Sequence, residues 1–144
     1  MIYTGNYKNC KSGNLISISG DSGRKENFSG KYIRELAPKL SFWKIWESNI
    51  GKISEYENTK YYIESYYKEV LSKVDLEELL FKEENPILLC YEDSKDFCHR
   101  HVLAEFLEYK YDIKVDEISI DKNGNKTVCS RPSYIKEILM DVIK

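Results

Sequence analysis

Apolar positions along the chain follow two rhythms, one of period two and one near 3.6. "MIYTG" opens with an apolar run that stops at Gly5, and "NLISISG" alternates until Gly20. Both predict strands with loops at their carboxyl ends. "DSGRKENFSG" is rich in turn formers and predicts a loop carrying Arg24 and Lys25. "KYIRELAP" predicts a short helix ended by Pro38, and "LSFWKIWESNI" a second with Trp43 and Trp46 on one face. Ser54 and Glu57 stand at capping-box spacing ahead of "NTKYYIESYYKEVLSKV". Within it Tyr62, Ile63, Tyr66, Tyr67 and Val70 make one stripe, which reads as core packing rather than a ligand box. Asp75 and Glu78 repeat the capping spacing before a shorter helix, "LEELLFKE". "ILLCY", a continuous apolar run after Pro86, predicts a strand covered on both faces. "FCHRHVLAEFLEYKY" then predicts a helix, "VDEISI" an alternating strand, "DKNGN" a turn, and "YIKEILMDVIK" a last helix capped by Ser133.

Strands alternating with helices predict a layered α/β fold with a largely parallel sheet, in one domain spanning residues 1–144. Ligands of such sheets bind outside the carboxyl ends of the strands. Three loops meet there. They bring Asn6 and Tyr7 after the first strand, Ser19 and Arg24 after the second, and Glu92 after "ILLCY".

Composition narrows the picture by exclusion. With 144 residues, 32% charged and 42% apolar, the chain is ordinary globular material with enough length for a core. A formal net charge of -2 leaves no global field steering it to nucleic acid or an anionic membrane. Neither a signal peptide nor an apolar stretch near the roughly 20 residues of a membrane span is present, so a cytoplasmic location is expected. Cys10, Cys90, Cys98 and Cys129 should then be reduced, and no two form a C-x-x-C pair.

The chemistry gathers in "PILLCYEDSKDFCHRHVLAEFL", residues 86–107, which holds both histidines and two of the four cysteines. A helix begun near Phe97 buries Val102, Leu103, Phe106 and Leu107, which turns His99 toward the crevice with Cys98 and Arg100 on either side. His101 then points mostly to solvent. Helix N-termini present unpaired N–H groups and the positive end of the dipole, which stabilise a thiolate. Arg100 adds a fork suited to phosphate or carboxylate. Against this stand plainer roles: Cys98 as a small packed residue, His99 bonding a carbonyl, Cys90 as core. No metal is assigned, because Cys90, Cys98, His99 and His101 match no zinc spacing. Adjacent Cys98 and His99 would also project about 100° apart on a helix.

At these residues the chain resembles the bacterial and viral domain of unknown function 488 family. Its hallmark is an apolar strand ending in Leu-Cys-x-Glu, a short polar loop, then Cys-His-Arg opening a helix; Leu89 to Glu92 and Cys98 to Arg100 fit it. "IYTGNY" and "ISIS" are similar to the family's first and second strands, so the likeness runs over roughly residues 1 to 120. After "ISIS" the family's arginine and proline-bearing turn are replaced by Gly20, Asp21 and Ser22, with Arg24 standing in for the arginine. The resemblance implies a three-layer, Rossmann-like α/β fold and carries no reaction with it.

Three functions compete. The leading expectation is an enzyme acting on an anionic or nucleotide-like small molecule. Arg100, Arg24 and the helix N-terminus would hold the anion, near Asn6, Tyr7 and Ser19. Cys98 would be nucleophile, His99 acid–base, and Glu92 an orienting or second acid–base group. No cofactor is indicated. The second is a non-catalytic nucleotide or nucleic-acid binding module using Tyr7, Tyr91, Lys25, Lys95 and Arg131. The third is a structural or regulatory partner protein, in which Cys-His-Arg locks helix to sheet.

Overall fold

A computed structural model describes every residue from Met1 to Lys144. Strand β1 (Ile2–Asn6) is buried throughout, and β2 (Asn14–Ser17) follows across a short loop. A two-residue strand, β3 (Lys31–Tyr32), comes next. The "KYIRELAP" segment thus supplies an edge strand and one 3-10 turn, Arg34–Leu36, in place of the expected helix. Proline bars helix at the residue before it, which leaves too few residues for an α-helix to nucleate.

Helices α1 (Leu40–Asn49) and α2 (Glu55–Tyr66) follow, and Ser54 Oγ caps α2 by accepting the Glu57 N–H at 3.1 Å. The tyrosine stripe continues through a π-turn at Tyr67–Leu71 into the core. "LEELLFKE" also closes as a π-turn, Glu77–Phe81. Strand β4 (Pro86–Cys90) is buried at all five positions, as its unbroken apolar run requires. Helix α3 (His99–Tyr111), strand β5 (Val115–Ile120), strand β6 (Lys126–Cys129) and helix α4 (Tyr134–Ile143) complete the chain. The Asn-Gly turn is therefore the bend of a hairpin, since β6 returns antiparallel to β5.

The six strands lie in the order β3-β2-β4-β1-β5-β6, parallel except for β6. Helices flank this sheet, giving the expected α/β, Rossmann-like fold. From β1 the chain moves one way, past the future place of β4, to β2. From β4 it moves the other way, over β1, to β5. The carboxyl ends of β1 and β4 thus flank the reversal point where such sheets bind ligands.

Side-chain parity divides the core in two. Buried residues of all four helices join Ile2, Ile16, Leu88 and Val115 on one face. Tyr3, Ile87, Leu89, Ile118 and Ile120 pack on the other with Tyr7, Cys10 and Phe28. Loops and the 3-10 turn Arg24–Glu26 make up this thinner third layer. Cys10 is buried directly over Gly5: a methyl on Gly5 would strike Cys10 Sγ and come within 2.9 Å of the Ile118 carbonyl. No helix is long and apolar enough to cross a membrane.

Candidate functional site

Cys98 is not the first residue of α3 but the extended residue before it, at φ -156° and ψ 147°. This later start of the helix reorganises the site. An extended Cys98 turns its sulfur back beside His99, so the 100° separation expected within a helix does not apply. Cys90 Sγ, Cys98 Sγ and His99 Nδ1 all lie within 4.8 Å of one another. His99 Nδ1 stands 3.7 Å from Cys90 Sγ and 3.8 Å from Cys98 Sγ. His99 Nε2 lies 2.7 Å from the Ile18 carbonyl oxygen. A carbonyl only accepts, so Nε2 carries the proton and Nδ1 is left for the sulfurs. All three residues are buried, and Tyr66 presents its ring edge-on to His99 at 5.5 Å.

Burial alone would push the Cys98 thiol up. A hydrogen bond from Cys90, the charge of Arg100 and the neighbouring His99 outweigh it and hold Cys98 well below the ordinary range. Cys90 is held well above, first by keeping the proton it shares with Cys98 and then by burial. For His99, burial opposes protonation, but the Cys98 charge prevails and raises it. Glu92 is exposed at the mouth, yet its Oε2 reaches 3.7 Å from Cys90 Sγ, and desolvation there raises its carboxyl.

Arg100 is fully buried and bound to Glu117, a residue of β5 that sequence reasoning did not single out. Its Nε donates to Glu117 Oε1 at 3.1 Å and its Nη2 to Glu117 Oε2 at 2.8 Å. Glu92 contributes its main-chain carbonyl, 2.7 Å from Nη2, rather than its carboxylate. Thr4 Oγ1 donates to Glu117 Oε1 at 2.6 Å. Arg100 Nη1 has no protein partner. The only cue to Glu117 in the sequence is a charge on the same strand face as Val115.

His101 corrects the expected solvent exposure: it is wholly buried, on the side of α3 that meets β5. Neither ring nitrogen has a hydrogen-bond partner. Burial first, and then Arg100, pull its pKa down to about 4. Its Nδ1 lies 3.9 Å from Glu117 Oε1, but a neutral imidazole makes no ion pair there. Arg131 is likewise committed, to Glu105 at 2.7 Å, Glu108 at 3.0 Å and the Val115 carbonyl.

Tyr7 and Ser19 fall into a second group on the thinner face, whereas Asn6, in register with Cys90, lies on the helix face. Tyr7 Oη lies 2.6 Å from both Ser17 Oγ and Ser19 Oγ, and burial pushes it up to about 12. Ser19 donates to Asp21 Oδ1, and Tyr91 Oη donates to Asp21 Oδ2 at 2.6 Å. The rings of Tyr7 and Tyr91 touch at 4.8 Å. Arg24 sits exposed on the 3-10 turn with no side-chain bond. Asn6 is buried, its Oδ1 accepting the Asn9 N–H at 2.8 Å. The sheet's carboxyl edge therefore carries two clusters, sulfur–imidazole–guanidinium on the helix face and tyrosine–serine–aspartate on the other. A surface depression of about 770 Å³ lies at the opposite edge among Asn14, Lys31, Lys82 and Lys126. It contains no cysteine or histidine.

No curated protein and no solved structure matches the chain. A family model described as the active DUF488-N3 subclade matches residues 15–111, from β2 through α3. That segment contains the whole sulfur–imidazole–guanidinium cluster, and the chain belongs to the domain of unknown function 488 family.

Proposed function

We propose that this chain is a cytoplasmic enzyme that uses the Cys98 sulfur on a small anionic, nucleotide-like molecule at the carboxyl edge of its sheet. One observation carries the reading: two sulfurs and an imidazole nitrogen converge within 4.8 Å beside a guanidinium with one unpartnered nitrogen. Cys98 is the nucleophile, prepared by the N-terminus of α3 and by Arg100. His99 holds or delivers the proton at Nδ1, and Glu92 at the mouth passes protons to solvent. Arg100 Nη1, the unpartnered nitrogen, receives the substrate's anion.

A second reading has its own support. Arg100 is fully buried and held by Glu117 on two bonds, as a structural clamp between α3 and the sheet would be. Binding of nucleic acid has less behind it, since the Tyr7 and Tyr91 hydroxyls are already bonded and their rings pack together. Pulse alkylation with peptide mapping, with and without phosphate or a mononucleotide, separates these. The enzyme reading expects Cys98 to label ahead of the more exposed Cys129, and the anion to protect it. Labelling of Cys129 first, with no anion effect on Cys98 or on thermal stability, favours the clamp.

A further inference from the structure

We propose that Cys90 Sγ, Cys98 Sγ and His99 Nδ1 are three ligands of a tetrahedral site for a divalent ion of the zinc class, with the fourth position open toward Glu92. Zinc sits about 2.3 Å from thiolate sulfur and about 2.0–2.1 Å from imidazole nitrogen, so tetrahedral angles place sulfur and nitrogen about 3.6 Å apart. The two sulfur–nitrogen separations are 3.7 and 3.8 Å. The third edge lies within 4.8 Å. An ion can enter this triangle with little movement of the chain.

Three further observations point the same way. His99 donates Nε2–H to the Ile18 carbonyl, the outer-shell bond that presents the opposite nitrogen to a metal. Glu92 Oε2 stands 3.7 Å from Cys90 Sγ on the solvent side, near the corresponding oxygen–sulfur edge of about 3.6 Å. Charge also balances: two thiolates offset the ion, while Arg100 and Glu117 offset each other. The soft set of two sulfurs and one imidazole suits zinc or cobalt and disfavours magnesium and calcium. These are atoms of the proposed reaction centre, but the site does not rest on that reaction. An ion on Cys98 Sγ blocks its attack, so metal binding and alkylation exclude each other.

Cobalt(II) is the probe, titrated into the reduced, chelator-treated full chain, with zinc added afterwards. One cobalt per chain is expected, with a thiolate-to-cobalt charge-transfer band and the intense visible bands of a tetrahedral site, both abolished by zinc. Cys98→Ser and His99→Gln should each weaken cobalt binding by more than the roughly 10–100-fold that loss of an outer-shell partner costs. Cys10→Ser and Cys129→Ser should leave it unchanged, with circular dichroism confirming the fold of every variant. If Cys98→Ser does not fold, protection in the native chain decides: zinc must shield Cys90 and Cys98, but not Cys129, from alkylation. A pale octahedral spectrum, or zinc that leaves Cys98 labelling unaltered, overturns the site. A tetrahedral cobalt spectrum with an inert Cys98 in the metal-free chain overturns the nucleophile and keeps the metal site. A reactive Cys98 without cobalt binding does the reverse.

Discussion

At the scale of single residues, the Arg100–Glu117 pair has the largest energetic consequence. Both side chains are out of water and bonded at two points, so removing one charge strands the other. Glu117→Gln is expected to cost about 3–5 kcal/mol of stability, the range for breaking a buried pair. Urea unfolding measures it, and a loss no larger than that of an exposed control such as Glu64→Gln would contradict it. Arg100→Lys keeps the charge but loses the fork that spans both Glu117 oxygens and the Glu92 carbonyl. It should therefore lie closer to Glu117→Gln than to a surface change. The mild effect on folding that an open ligand site would have given is not expected of a wholly buried guanidinium.

At the scale of elements, two contacts decide how strands and helices begin. Ser54 Oγ holds the Glu57 N–H at the start of α2. Ser54→Ala should cost about 1 kcal/mol, the usual value of an N-cap. Thermal unfolding reads it, and Ser54→Asp should restore most of the loss. Gly5 is required in β1 for space rather than for an unusual backbone angle, because Cys10 Sγ lies against its Cα hydrogens. Gly5→Ala should cost about 1–3 kcal/mol through overpacking. The double variant Gly5→Ala with Cys10→Gly should recover part of it; a double variant no better than the single would show that the Ile118 carbonyl, not the sulfur, sets the limit.

At the scale of the whole molecule, His101 links stability to pH. Its folded pKa, about 4, lies below its ordinary 6.5, so the unfolded chain binds the proton more tightly. Stability from this group is complete above about pH 6.5 and is lost as pH falls from there toward 4. A displacement of this size corresponds to about 3 kcal/mol at most. Replacing His101 by Leu removes a titrating group and two buried, unpartnered nitrogens. The His101→Leu chain should thus lose less stability than the parent between pH 7 and pH 4, as chemical denaturation at each pH will show. Equal losses would mean that groups other than His101 govern acid unfolding.

Local pattern determined the elements whose signal is contained within a few turns of chain. The unbroken run of β4, the stripe and cap of α2, and the amphipathic faces of α3 and α4 were all legible, because periodicity reports which side of an element meets a core. The loops at the strands' carboxyl ends, and the gathering of Cys90, Cys98, His99 and Arg100 at one junction, followed from the same reading. What local pattern missed were short edge elements. β3 has two residues and β6 is mostly exposed, so neither carries an apolar face to detect.

Tertiary structure decided the rest. Glu117 reaches Arg100 because the pairing of Thr4 with Glu117 in β1 and β5 sets that register, and no spacing along the chain encodes it. His101 is buried because α3 docks on β5, which sets its ring 3.9 Å from Glu117 Oε1. Cys98 joins Cys90 and His99 because α3 begins two residues later than its pattern suggests, and the extended residue before it redirects the sulfur. The sequence by itself determined which residues are brought to the sheet edge, since that follows from local burial. Only packing decided which atoms face one another there, because distances of a few ångströms depend on contacts between segments far apart in the chain.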